Sequence, residues 1–188
     1  MIWLWLGVVL WSATHFLPAA ATGFRARLIN GLGEQAYKGL FSLLLVAAIV
    51  LFVVGWRASP PTAVFPTPEW LLILANLVVL AAFILFVASS VRSNLKRIVR
   101  HPQLTAVVLW GGAHLLVNRD LRSLVLFGGL GLWAIVMVIL LNRRDGAWEK
   151  PESQPIGVEL KVGLIAAAAF VLIFFVHGYL FGVSPLPF

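Results

Sequence analysis

A chain of 188 residues that is 61% hydrophobic and only 11% charged, with a mean hydropathy of +0.99, has too little polar surface to wrap a water-soluble domain. Its net charge of +7 and pI near 10.9 would point to nucleic acid in a soluble protein. Here the cations fall between apolar runs, so membrane orientation explains them and no nucleic-acid partner is expected. The lack of cysteine excludes disulfides, thiolate-held iron-sulfur clusters, a thiolate haem ligand and covalent c-type haem attachment.

In chain order, the apolar runs fall at about residues 2 to 22, 37 to 56, 69 to 91, 103 to 118, 122 to 141 and 160 to 181, of which the fourth is short. This predicts an all-α polytopic bundle of about six transmembrane helices forming one integral membrane domain over residues 1 to 188. The first run ends in Ala19-Ala20-Ala21, which resembles a cleavage site, but no Lys or Arg precedes it and Arg25 and Arg27 follow. It reads as an uncleaved first helix.

The second connection, from Ser59-Pro60-Pro61 to Phe65-Pro66-Thr67-Pro68, reads as an extended proline-rich loop, with Pro66 to Pro68 marking the start of the third helix. The fifth connection, Asp145-Gly146 through Pro155, is the most polar. Connections after the first, third and fifth runs carry Arg25, Arg27, Lys38, Arg92, Lys96, Arg97, Arg100, Arg143, Arg144, Lys150 and Lys161. The opposite side carries only Arg57, Arg119 and Arg122. The positive-inside rule then makes the basic loops cytoplasmic and both termini external. Arg92 to Arg100 is expected to meet anionic membrane lipid.

The carboxylates Glu34, Glu69, Asp120, Asp145, Glu149, Glu152 and Glu159 all lie in loops or at span ends. That argues against an intramembrane proton relay, paired-carboxylate hydrolysis, a Ser-His-Asp site and a carboxylate-rich di-iron bundle. What remains is imidazole: His15, His114 and His177 fall inside apolar stretches without a charged neighbour. An ionisable group there costs a few kcal/mol on insertion scales, which makes it a candidate functional site.

Neutral imidazole nitrogen can bind haem iron between facing helices without burying a net charge. Helical spacing sets Trp11, Ser12 and Ala19 beside His15, and Trp110, Gly111 and Asn118 beside His114. His15 and His114 are the candidate ligands and His177 the alternative, with Trp110, Gly111 and Asn118 as pocket residues. The opposing reading makes the histidines hydrogen-bond partners between helices, a role open to Asn76 as well. His101, beside Pro102, reads as an interfacial or capping residue. Gly111, Gly112, Gly128, Gly129 and Gly131 read first as helix-packing positions. Trp3, Trp5, Trp56, Trp70 and Trp148 read as interface anchors, with Trp110 and Trp133 deeper.

Arg100-His101-Pro102-Gln103-Leu104, continuing through Leu109-Trp110-Gly111-Gly112-Ala113-His114-Leu115-Leu116-Val117-Asn118 to Asp120, resembles the signature of the NnrU family. The likeness extends from His15, Arg25, Arg27, Gly33, Tyr37, Gly39, Leu40 and Phe41-Ser42 to His177 and Phe181-Gly182-Val183-Ser184-Pro185, covering nearly the whole chain. That family comprises small bacterial membrane proteins linked to denitrification and nitric oxide metabolism, and it is similar to the plant 15-cis-zeta-carotene isomerase, a haem b enzyme. The resemblance implies haem b with axial ligands at His15 and His114, in the bacterial inner membrane. Gly111 stands where the plant enzyme has a cysteine, so its ligand switch does not carry over. Arg119 stands where glycine is expected.

The resulting expectation is a haem b protein with a role in nitric oxide or denitrification physiology, whose ligand is a polyene or a quinol. If it is an enzyme, cis-trans isomerisation of a polyene is the most concrete reaction. The rivals are a non-catalytic assembly or regulatory subunit and an electron-transfer protein that takes electrons from quinol.

Overall fold

The computed structural model describes residues 1–62 and 68–185. Its elements are α1 (Ile2–Ala20), α2 (Thr22–Leu32), α3 (Glu34–Arg57), α4 (Glu69–Ser89), a 3-10 turn (Asn94–Arg97), α5 (Pro102–Val117), α6 (Leu121–Ser123), a π turn (Leu124–Gly128), α7 (Gly129–Asp145) and α8 (Ile156–Phe181). Among the described residues all regular structure is helical, and α6, the π turn and α7 run on as one apolar stretch, Leu121–Asp145. That stretch and α1, α3, α4 and α8 are each long and apolar enough to cross a bilayer. The fold is a polytopic membrane bundle, as the hydropathy predicts.

The fourth run becomes the 16-residue α5, which spans only about 24 Å at the helical rise against about 30 Å of hydrocarbon. Pro102 opens α5 at a position where its missing N–H costs nothing, and Asn118 closes it with its amide on the His114 carbonyl at 2.7 Å. α4 begins at Glu69, directly after Pro68, while residues 63–67 of the proline-rich connection lie outside the described residues. Glu159 and Lys161, read as connection residues, fall in the first turns of α8.

The stretch after α1 departs from the expected loop. Thr22–Leu32 is a helix with no buried residue, ended by Gly33 at φ 84°, a backbone region that favours glycine. Phe24, Leu28 and Leu32 recur every fourth residue on one stripe, with Arg25 and Arg27 between them. Eleven residues are too few to cross, and the pattern suits a helix lying in the membrane interface.

Packing within the bundle uses close backbone approach. A Cβ added at Gly55 on α3 would lie 2.5 Å from the Leu4 backbone nitrogen of α1, and one at Gly7 would lie 2.7 Å from the Phe52 ring. Gly111 of α5 is sealed against the Phe127 carbonyl in the same sense at 2.7 Å, and Gly129 against Val8 at 2.8 Å. Gly128 makes ordinary contacts, whereas a Cβ at Gly112 or Gly131 would meet nothing within 4 Å. The core lies in two layers: Leu4, Val8 and Val125 near one end, and Ala19, Trp133, Ala134 and Met137 near the other. Large apolar side chains such as Leu164, Leu172 and Phe175 are exposed on α8, an arrangement at home in lipid and not in water.

Polar contacts gather at the two ends. On the basic side, Glu159 accepts from Ser93 Oγ at 2.9 Å and the Asn94 amide at 2.6 Å, while Asn94 and the Gln154 backbone exchange two bonds of 2.8 Å. On the other, Asp120 caps α6 through the Ser123 amide at 2.8 Å and pairs with Arg122 at 3.6 Å. Arg122 also donates to the Ser59 carbonyl and lies 4.1 Å over the Trp56 ring.

Because the atom facing Gly55 is backbone, Gly55→Val must push α1 and α3 apart. We expect a loss of about 1–3 kcal/mol, read as a lower thermal midpoint in detergent. Gly112→Ala, which meets open space, should leave that midpoint unchanged or higher.

Candidate functional site

Each intramembrane histidine makes one hydrogen bond through Nδ1 to a backbone carbonyl: His15 to Trp11 at 2.9 Å, His114 to Trp110 at 2.8 Å and His177 to Val183 at 2.6 Å. A carbonyl oxygen only accepts, so Nδ1 carries the proton in all three and Nε2 presents its lone pair. A backbone carbonyl on the far nitrogen fixes tautomer and ring direction, as it does for metal-ligating histidines. The first two bonds follow from helical geometry, because the carbonyl four residues back lies beneath the ring. The third needs a different device: Gly182, at φ 71° and ψ 13°, turns the chain so that Val183 returns to the imidazole.

The structure brings His114 and His177 together. Their ring centres are 6.5 Å apart with planes 28° from parallel, and Phe127 stacks on the other side of His114 at 4.4 Å. Trp110 completes this cluster, 4.9 Å from both His114 and Phe127. The π turn supplies Phe127, and π turns inside α-helices recur at functional positions. Of the other residues named from the sequence, Gly111 faces α7 in close packing and Asn118 caps α5.

His15 lies in a separate aromatic cluster of Trp11 at 4.5 Å, Trp133 at 4.8 Å and Phe41 at 5.8 Å, and shares no ring neighbour with His114. Along the helix that carries both, Trp133 is six residues from Phe127, about 9 Å at the helical rise. Two buried indole nitrogens here, Trp11 Nε1 and Trp133 Nε1, have no hydrogen-bond partner among the described residues, and neither does the hydroxyl of Tyr37, whose ring lies 6.3 Å from that of Phe41. Buried donors are nearly always satisfied, so these three call for an acceptor.

His101 differs from the other three: its Nε2 lies 3.0 Å from Asn142 Oδ1 at the basic end of the bundle. It stands at the N-cap position of α5, but its side chain makes no cap hydrogen bond. Asn76 donates to the Pro185 carbonyl at 3.4 Å, so it ties down the chain end following α8. Phe127, Trp133 and the Val183 carbonyl were not legible as site components, because none of them carries a chemical signature in sequence. Among the described residues no group of three or more His, Cys, Asp or Glu is placed to hold a metal ion.

The NnrU protein family model matches residues 3–185, and the chain belongs to that family. No curated protein and no solved structure matches it.

The tautomers can be read directly. In protein labelled with 15N at histidine, at about pH 8.5 where free imidazole is neutral, His15, His114 and His177 should be protonated at Nδ1 and His101 at Nε2. An Nε2-protonated His114 would remove the open ligand nitrogen.

Proposed function

From membership in the NnrU family, we propose that this multi-pass membrane protein binds haem b in the bacterial cytoplasmic membrane, in a role connected with denitrification and nitric oxide metabolism. The observation that carries the reading is the set of carbonyl-anchored imidazoles with open Nε2 atoms, two of which approach within 6.5 Å. Bonds from imidazole nitrogen to a metal run about 2 Å, so two rings sharing one ion through Nε2 have their centres roughly 6 Å apart. Two imidazoles leave most of a metal's coordination shell unfilled. A haem would bring most of its iron's ligands with it and ask few of the protein, which fits a site with so few donors.

On this reading His114 and His177 would hold the haem, which would supply redox and small-molecule binding chemistry at its iron. The chain's own work is to orient the two rings through the Trp110 and Val183 carbonyls, and to cover His114 with Phe127 and Trp110. A polyene or quinol ligand would come from the bilayer, and isomerase-like chemistry belongs to the same proposal. A second assignment keeps His15 as the partner of His114. It is favoured by the unsatisfied indole donors of Trp11 and Trp133, which suit an acceptor-bearing cofactor.

The rival view of the histidines as glue between helices has less support. The bonds of His15 and His114 close within their own helices, and that of His177 closes on the chain end following its own helix.

Protein purified from haem-replete cells should show the sharp reduced spectrum of a bis-histidine haem, lost in His114→Ala and His177→Ala and kept in His15→Ala. Loss in His15→Ala with retention in His177→Ala would move the second ligand to α1. A colourless wild type would sink the haem reading.

A further inference from the structure

A second site lies at the basic end of the bundle, away from the histidine pair. Arg100 and His101, just ahead of α5, face Asn142 of α7 and Trp148 around a cavity of about 370 Å³. Its uncommitted donors are those of Arg100 and Asn142, while the Thr105 hydroxyl in its lining is spent on the His101 carbonyl at 3.1 Å. Arg100 gives one guanidinium nitrogen to the Gly146 carbonyl at 2.8 Å, which leaves most of its five N–H groups uncommitted. His101 Nε2 donates to Asn142 Oδ1 at 3.0 Å, so the Asn142 amide nitrogen keeps its two protons for another acceptor. No carboxylate lines the cavity; the Asp145 carboxylate at the end of α7, which also feels Arg100 and His101, is held by Arg144 through both oxygens at 2.7 and 3.2 Å.

The cavity also has an apolar side. Val99 and Val138 complete that part of the lining, and Val138 lies one helical turn, about 6 Å, further into the membrane than Asn142. A ligand matching this gradient has an anionic, acceptor-rich head and an apolar body, and the indole of Trp148 suits the level where the two meet.

We propose that this cavity binds the phosphodiester headgroup of an anionic phospholipid. Arg100 and the Asn142 amide meet the phosphate oxygens by charge-assisted hydrogen bonds, and Val99 and Val138 meet the first acyl carbons. Inorganic phosphate shares the head chemistry but has nothing to place against the valines.

The test uses full-length protein stripped of lipid in neutral detergent, with retained lipid counted by native mass spectrometry. Wild type should hold one phosphatidylglycerol in preference to phosphatidylcholine. Arg100→Gln should lower that preference about fivefold, the worth of one cation near a membrane surface. Arg143→Gln, an exposed cation of the same end outside the cavity, should keep it. Asn142→Leu removes the amide donors without changing charge and should also weaken retention, so the proposal stays testable if Arg100→Gln fails to fold. Equal retention of the two lipids by wild type, or a preference undiminished in both cavity variants, overturns the site. Displacement of the lipid by millimolar inorganic phosphate overturns its assignment to lipid.

Discussion

An N–H inside a bilayer finds no water, so each neutral imidazole there must give its single proton to an acceptor within the protein. The backbone meets that demand at every intramembrane histidine of this chain, and the arrangement at the candidate site follows from it. Once Nδ1–H is committed to a carbonyl, Nε2 is left as the outward-facing atom, a neutral lone pair that costs far less to bury than a charge. His15 and His114 obtain the bond from helix geometry alone. His177 stands near the end of α8 and takes its acceptor from a left-handed glycine turn, so its ring direction depends on the chain end in a way the other two do not.

The same need for internal contacts shapes the packing around the rings. Helices in lipid gain little from burying apolar surface against each other, so close backbone approach does much of the work. Gly111 shows both sides of this. Its missing side chain lets α5 settle on the Phe127 carbonyl, and that contact keeps the helix carrying His114 against the segment that supplies its stacking ring. A helix that simply continued in α register through Leu124–Gly128 would turn Phe127 differently. The π turn thus joins the way α5 packs to the environment of His114.

Much of the fold is legible in the sequence because it is set by one-dimensional quantities. Runs of apolar residues give the crossing segments, which the helices reproduce. α2 was missed because hydropathy registers spanning segments and passes over a short helix whose apolar stripe is broken by arginines. At the site, the sequence picks out the histidines and the packing roles of Gly111 and Gly129. It leaves open which histidines meet, because chain order does not decide which non-consecutive helices become neighbours. His177, held in reserve as an alternative ligand, is the one beside His114. Gly7 and Gly55 carry contacts as tight as any in the bundle, yet they look in sequence like other small residues in apolar runs.

Neighbourhood is settled by α4, which packs on both α5 and α8 and so governs how far apart His114 and His177 can stand. Between Glu69 and Ser89 the only side chain of α4 able to make a strong hydrogen bond within the span is Asn76, and it bonds the Pro185 carbonyl beyond the end of α8. One helix without an ionisable group in its span therefore fixes the helix that carries His114, the helix that carries His177 and the returning chain that orients His177. α8 packs principally on α4, so the two histidines meet where α5 and α8 are not tightly joined.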